Sequence, residues 1–303
     1  QSPTKAPTIP ATEAAVEVIT TRGTDAATTT IAGKAGGDPH FKTWSGIKFD
    51  YHGECDLVLI DNPSFAGGLG LRAHIRTKRV KYFSFIETIA LQIGPDVLEF
   101  QNDVTNYLIN GEKASDSAVN TLGGFEVRRF GKDALSVRLD KKTKAHIDFY
   151  HRNNGFPYLK FDGKDSSAFE GSLGLLGEWS TGNMVSRDGQ TVINKEDAEN
   201  HALEWQVRDT EPMLFSTARH PQFPIVCTAP KKFLGKRLGD SHMMEAAEKA
   251  CAAWKEDKDD CIFDALATRS TLGAHSFVHL DEEEDDSSML MMVMEEEASA
   301  SVF

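Results

Sequence analysis

Between residues 46 and 161 apolar and polar positions alternate in short runs. Ile47, Phe49 and Tyr51 are interleaved with Lys48 and Asp50. Leu69, Leu71, Ala73 and Ile75 are interleaved with Arg72, His74 and Arg76. Further apolar segments follow at 57–60, 83–93, 97–100, 107–109, 125–130, 135–139, 147–150 and 158–161. A period of two puts alternate side chains on opposite faces, which is the pattern of a half-buried antiparallel strand. Turn-forming pairs punctuate the runs: Asn110-Gly111, Gly123-Gly124, Asn154-Gly155 and Asp162-Gly163. About ten short strands at this spacing predict a mainly β fold, an antiparallel β-sandwich or a barrel, with the sandwich preferred.

The period then turns helical. Met243, Met244, Ala247, Ala250, Cys251 and Trp254 fall on one face, after Asp240-Ser241, either of which can cap the helix. A second helix is expected over Asp259–Ala267, with Ile262, Phe263 and Leu266 inward. Cys251 and Cys261 then sit on neighbouring helices joined by a short polar turn. That geometry suits a disulfide across a small helical hairpin, worth about 2–3 kcal/mol in the chain-entropy treatment.

Both ends of the chain differ from this body. Residues 1–30 hold nine Thr, three Pro and six Ala, the composition of a solvated linker or stalk. The only near match to an N-glycosylation site, Asn62-Pro63-Ser64, carries the forbidden proline. Residues 281–303 contain nine acidic residues and no Lys or Arg, around the insert Met289–Met294. Like charges repel, so a solvated tail is expected there. The formal charge is −13, and removing the tail's nine acids leaves −4 on residues 1–280. No nucleic-acid partner is expected, because phosphate binding needs a basic face. With 40% hydrophobic and 26% charged residues the chain has the composition of a globular protein. The apolar run Met289–Met294 is too short to cross a bilayer, so no transmembrane segment is expected. Gln1 is not preceded by a Met or a basic-then-apolar leader, so the sequence is read as a mature form or a fragment. The expected organisation is a linker over 1–36, a β domain over 37–212, a helical cysteine-bearing region over 213–272 and an acidic tail over 273–303.

The four cysteines, Cys55, Cys227, Cys251 and Cys261, form no C-x-x-C pair and by count alone allow three pairings. No G-x-S-x-G elbow, P-loop, H-E-x-x-H or dinucleotide fingerprint is present, so an enzyme is not expected. His275 and His279, at i and i+4, are read as exposed histidines rather than a metal pair, since no third ligand has matching spacing.

Gly37-Asp38-Pro39-His40-Phe41-Lys42-Thr43-Trp44-Ser45-Gly46, then Phe49-Asp50-Tyr51-His52-Gly53-Glu54-Cys55-Asp56-Leu57-Val58-Leu59, resembles the opening of a von Willebrand factor type D domain. The family pattern there is G-D-P-H-[YF]-x-T-F-D-G, then [YF]-x-F-x-G-x-C-x-Y-x-L; Trp44-Ser45 departs from its usual Phe-Asp. Gly174-Leu175-Leu176-Gly177 is similar to the family's G-L-C-G turn, and His201–Val207 to its closing tryptophan segment. Cys251 and Asp260–Asp264 resemble the helical region that often trails such domains. The likeness spans about residues 37–270. It resembles a cysteine-poor version of the module, of the kind associated with single-celled algae.

The resemblance implies a bridge from Cys55 to Cys227. It also implies that a second family bridge is lost as a pair. No cysteine precedes the G-D-P-H motif, and Leu176 stands where G-L-C-G has its cysteine. Without the dense cysteine array of mucins, disulfide-linked polymers are not expected. The implied role is a secreted or cell-surface structural module. It would be adhesive or help assemble extracellular matrix, coat or mucilage, with matrix proteins, cell-surface proteins and polysaccharides as partners. No cofactor is required on this reading. Calcium is the one candidate, in the loop after the G-L-C-G position, where Asn183 and Asp188 are kept but Val185 and Arg187 stand in place of acids. An alternative is self-processing at Asp38-Pro39, with His40 as proton donor; a third is a ligand or lipid carrier, since type D modules also occur in lipid-transport proteins.

Overall fold

The computed structural model describes residues 32–219 apart from 38, 81–82, 102, 115–118, 131–133, 142–143, 152–155 and 164–165. Beyond these it describes Cys227, residues 241–252, and residues 258, 261–262 and 265–266. The expected stalk over 1–30, the pair His275 and His279 and the acidic tail therefore lie outside the described residues, as does Asp38.

Fourteen strands follow one another among the described residues. They are β1 (Gly33–Gly36), β2 (His40–Lys42), β3 (Lys48–Asp50), β4 (Asp56–Asn62), β5 (Leu71–Val80), β6 (Phe83–Ile93) and β7 (Asp96–Phe100). β8 (Leu108–Ile109), β9 (Glu112–Lys113), β10 (Asn120–Leu122), β11 (Phe125–Phe130), β12 (Ala134–Arg138), β13 (His146–His151) and β14 (Pro157–Asp162) complete the set. They form two antiparallel sheets, mainly β as the alternation predicts. One has the order β10-β11-β12-β13-β14-β1-β2-β3 and the other β4-β5-β6-β7-β8-β9, and neither closes into a barrel.

Both sheets contribute to one continuous core. Phe41, Phe149 and Phe161 come from the eight-stranded sheet, and Leu57, Leu59, Ile75, Ile89 and Phe100 from the six-stranded one; all are essentially without solvent exposure. Trp44, the departure from the family's Phe, stacks on Phe169 at 5.5 Å between ring centres and lies tilted against Phe161 at 6.0 Å. Each such aromatic buries a large apolar area, so the larger side chain at position 44 adds apolar area to the core, while its Nε1–H is buried without a hydrogen-bond partner.

Two features escape the pattern of the sequence. Residues 33–36, which the composition groups with the N-terminal linker, form β1 in the interior of the eight-stranded sheet, between β14 and β2. Gly-Lys-Ala-Gly has no bulky alternation to betray a strand. Its glycines make room for neighbours: a Cβ on Gly36 would stand 1.8 Å from the Tyr158 ring, and one on Gly33 2.8 Å from Leu176 Cδ1. The positions that would carry the lost family bridge thus lie side by side, with leucine packed on glycine.

The second feature is β5. Leu71, Ala73 and Ile75 face the core as expected, but His74 and Arg76 on the opposite face are buried too. The segment after residue 205 covers that face. Leu214 and Phe215 pack on Ala90 and Val97, and the Arg76 guanidinium lies 4.3 Å from the Phe215 ring centre. Burial, with the Arg72 and Arg187 charges, lowers the His74 pKa to about 3, so it is neutral at physiological pH.

The trailing region carries a helix at Ser241–Ala250. Residues 258, 261–262 and 265–266, within or beside the expected second helix, are helical as well. Cys251 and Cys261 are bonded, with their Cα atoms 5.9 Å apart. No helix among the described residues is long and apolar enough to cross a membrane.

Candidate functional site

The G-D-P-H motif is the turn between β1 and β2. Gly36 pairs with His40 across it. Gly37 has φ +65°, a left-handed conformation that glycine adopts without steric cost. Its carbonyl accepts from Ile86 N–H at 3.0 Å and its N–H donates to the Pro157 carbonyl at 3.4 Å, so this one residue bonds to both sheets. The Pro39 carbonyl accepts from Tyr51 N–H at 3.3 Å. His40 is buried and donates from Nδ1 to Asp50 Oδ1, its cross-strand neighbour on β3, at 2.7 Å.

Burial acts to raise the Asp50 pKa. The hydrogen bond and charge of His40, with the His52 and Lys195 charges, more than offset it and hold the carboxyl below its usual value. A carboxyl depressed on folding contributes stability that is present above its unfolded pKa and lost as pH falls through the folded one. Asp50→Asn is therefore expected to unfold at lower temperature than wild type at pH 7, with the difference closing below about pH 4. Thermal unfolding of both proteins across that range checks this, and a gap independent of pH would show that the charge of Asp50 is not responsible.

The loop after Gly174-Leu175-Leu176-Gly177 is held by its own carboxylates. Glu178 accepts from the backbone and hydroxyl of both Ser180 and Thr181, at 2.8 Å each. Asp188 accepts from the N–H groups of Gln190 and Thr191 and from the Thr191 hydroxyl. Arg187 bonds the Glu204 and Gln206 carbonyls and the Glu211 carboxylate, and lies 5.0 Å from the Trp205 ring centre. Asn183 is partly buried; its carbonyl accepts from Glu178 N–H and its N–H donates to Thr181 Oγ1. Calcium takes six to eight oxygens, several of them anionic. Among the described residues no three His, Cys, Asp or Glu side chains converge, and the loop's carboxylates are turned onto its own donors. This donor set does not suit a calcium cage.

Behind the loop lies a clasp. Two segments cover the free edge of β4. Residues 173–176 exchange hydrogen bonds with Val58, Leu59 and Asp61, and residues 205–207 with Asp56 and Val58. An open edge invites pairing with other chains, and this one is closed. Beyond it, Arg76 makes a two-point ion pair with Asp56 at 2.8 Å and donates to the Thr217 carbonyl at 2.9 Å. Arg219 adds a second contact to Asp56 at 3.3 Å. Cys55 is bonded to Cys227, with Cα atoms 5.6 Å apart and 172 residues between them. Thr77 fixes Cys55 in place, accepting its N–H at 2.9 Å and donating to the Gly53 carbonyl at 2.7 Å. His201, wholly buried, holds its ring nitrogen 3.1 Å from the Leu175 carbonyl; burial lowers its pKa to about 4, so its Nε2–H donates from a neutral ring. Arg187 and Thr77 are the parts that the sequence does not advertise: Thr77 bonds the main chain of Cys55 and Gly53, and Arg187 bonds the Glu204 and Gln206 carbonyls and the Glu211 carboxylate.

Residues 33–181 match the family model of the von Willebrand factor type D domain. No curated protein matches the chain. The match runs from β1 through the Gly174–Gly177 turn to Thr181, the span over which the motifs resemble a von Willebrand factor type D domain. Domains of this family are in general extracellular modules of adhesion and assembly and are typically not enzymes.

Proposed function

We propose that the protein is a secreted or cell-surface structural module. It would help assemble an extracellular matrix, coat or mucilage by contact with matrix proteins, surface proteins or polysaccharides. The observation that carries this reading is the type D match over 33–181 in a body closed by a disulfide spanning 172 residues. Stable disulfides belong to oxidising compartments. The test joins labelling of intact cells with clustering of microspheres coated with the full chain. Surface label, and clusters that disperse on reduction, are expected. Label seen only after permeabilisation, with single microspheres, would contradict the proposal.

A second reading draws on the β1–β2 turn. The Asp38 carboxylate would attack its own carbonyl carbon, closing a cyclic anhydride as the bond to the Pro39 nitrogen breaks and that nitrogen takes a proton. The fixed ring of His40, adjacent in sequence and anchored by Asp50, supports it. Incubation near pH 5.5 should then release a fragment beginning at Pro39, and Asp38→Ala should stay whole. A wild-type chain as intact as the variant would reject it.

A further inference from the structure

An open cleft of about 630 Å³ lies between the turn that follows β4, the start of β11, the residue after β12 and residues 167–171. That volume falls in the range of sites for small molecules. None of the residues that line it belongs to the G-D-P-H turn, the loop after Gly177 or the clasp. Its apolar part is Phe65 and Phe125, with ring centres 5.7 Å apart and planes inclined at 53°, together with Leu139. Ser64 and Glu170 supply its polar part. Glu170 is exposed, and it is the one charged residue among the described residues that line the cleft.

The polar part is held from behind by Asn62, which is wholly buried. Its Oδ1 accepts from the Ser64 hydroxyl at 2.9 Å, and its Nδ2 donates to the Glu170 carbonyl at 2.9 Å and to Ser172 Oγ at 3.2 Å. A buried amide satisfied at both ends fixes the groups it holds, so little ordering is left for a ligand to impose. The turn at the rim is strained. Ala66, which lines the cleft, has φ +49° and ψ +46°, a left-handed conformation uncommon for a residue with a Cβ. It is retained by the N–H groups of Gly68 and Gly70, which donate to the Ser64 and Phe65 carbonyls at 3.1 and 3.2 Å. Strain of this kind collects where a chain is shaped to hold a ligand.

These groups select an amphipathic ring. A lipid tail leaves Ser64 and Glu170 without a use. An anion is opposed by Glu170 and by the chain's formal charge of −13. A pyranose meets both halves of the site: its C–H groups suit the negative faces of aromatic rings, and its hydroxyls donate to a carboxylate in charge-assisted hydrogen bonds.

We infer that this cleft binds a neutral sugar ring of a polysaccharide, with Phe65 and Phe125 against the ring and Glu170 and Ser64 at its hydroxyls. The inference rests on the structural role proposed above and deepens it, by naming which partner is bound and where.

Saturation-transfer NMR on the full chain tests it, with cellohexaose, maltohexaose and mannohexaose as neutral probes and oligogalacturonate as the anionic one. At least one neutral hexaose is expected to bind with a Kd of about 1 mM. Oligogalacturonate should bind about tenfold more weakly. Glu170→Ala, at an exposed position, should weaken hexaose binding about tenfold and leave the thermal midpoint unchanged. Phe125→Leu, which keeps apolar bulk but removes the ring, should weaken it by a similar factor. No binding by any neutral hexaose, equal binding of oligogalacturonate, or a Glu170→Ala chain that binds as wild type does would overturn the inference. Microspheres that cluster although no hexaose binds would leave the structural role standing without this site. Hexaose binding by a chain whose microspheres stay single would do the reverse.

Discussion

Replacing Cys55 and Cys227 together by serine is expected to cost about 5 kcal/mol of unfolding free energy, the largest loss from any single cross-link here. The bond closes 172 residues, and the entropy it removes from the unfolded chain grows with the logarithm of that length. It also retains the segment that covers the outer face of β5. Leu214 and Phe215 on Ala90 and Val97, and Thr217 and Arg219 around Arg76 and Asp56, lie between the clasp at residue 205 and the bond at residue 227. Losing the bond loosens these contacts as a group and opens the buried Arg76–Asp56 pair to water. Serine at Cys251 and Cys261 is the control: that bond closes 10 residues, and its removal should cost about 2–3 kcal/mol. Chemical denaturation of the two double variants checks the ranking. Equal losses would mean that the segment covering β5 is held by its packing alone.

Gly174→Ala is expected to cost about 3 kcal/mol or more, although it adds one methyl group. Gly174 has φ +150°, where side chains are strained, and the new Cβ would stand 2.3 Å from the Leu59 carbonyl oxygen and 3.0 Å from Ile60 Cα. Both are backbone atoms of β4 and cannot rotate away. The turn would have to lift from the strand, and the hydrogen bonds that 173–176 make to Val58, Leu59 and Asp61 would stretch with it. Gly124→Ala is the comparison: φ is +84°, but nothing lies within 4 Å of the added carbon, so only the conformational cost applies. Thermal unfolding of the two variants separates the contributions. A Gly174 variant no worse than the Gly124 one would show that the approach to β4 is not tight.

Much of the body was legible because its information is local. β4 to β7 and β11 to β14 follow the alternation of apolar positions, and the hairpin bridge Cys251–Cys261 follows from helical spacing. The remainder depends on contacts distant in sequence. β1 is short and glycine-rich, and it becomes a strand only because β14 and β2 flank it. His74 and Arg76 read as solvent-facing, and a segment 141 residues further along buries Arg76 through Thr217. The pairing of Cys55 with Cys227 cannot be drawn from spacing; it came from the family likeness. Of the G-D-P-H site, His40 and Pro39 were visible as a motif, whereas the Asp50 that orients His40 was visible only as a polar position in an alternating strand. Arg187 read as a charge unfavourable to a cation, and its place as the bond between the loop and the Trp205 segment needed the fold.

The most direct test of the account is peptide mapping of native protein, unreduced and with free thiols blocked at collection. A body closed by its clasp, in the oxidising compartment proposed for it, should yield Cys55 linked to Cys227, Cys251 linked to Cys261, and no blocked thiol. Four blocked cysteines, or Cys55 joined to either helical cysteine, would contradict both the closed body and the oxidising compartment on which the adhesive role rests.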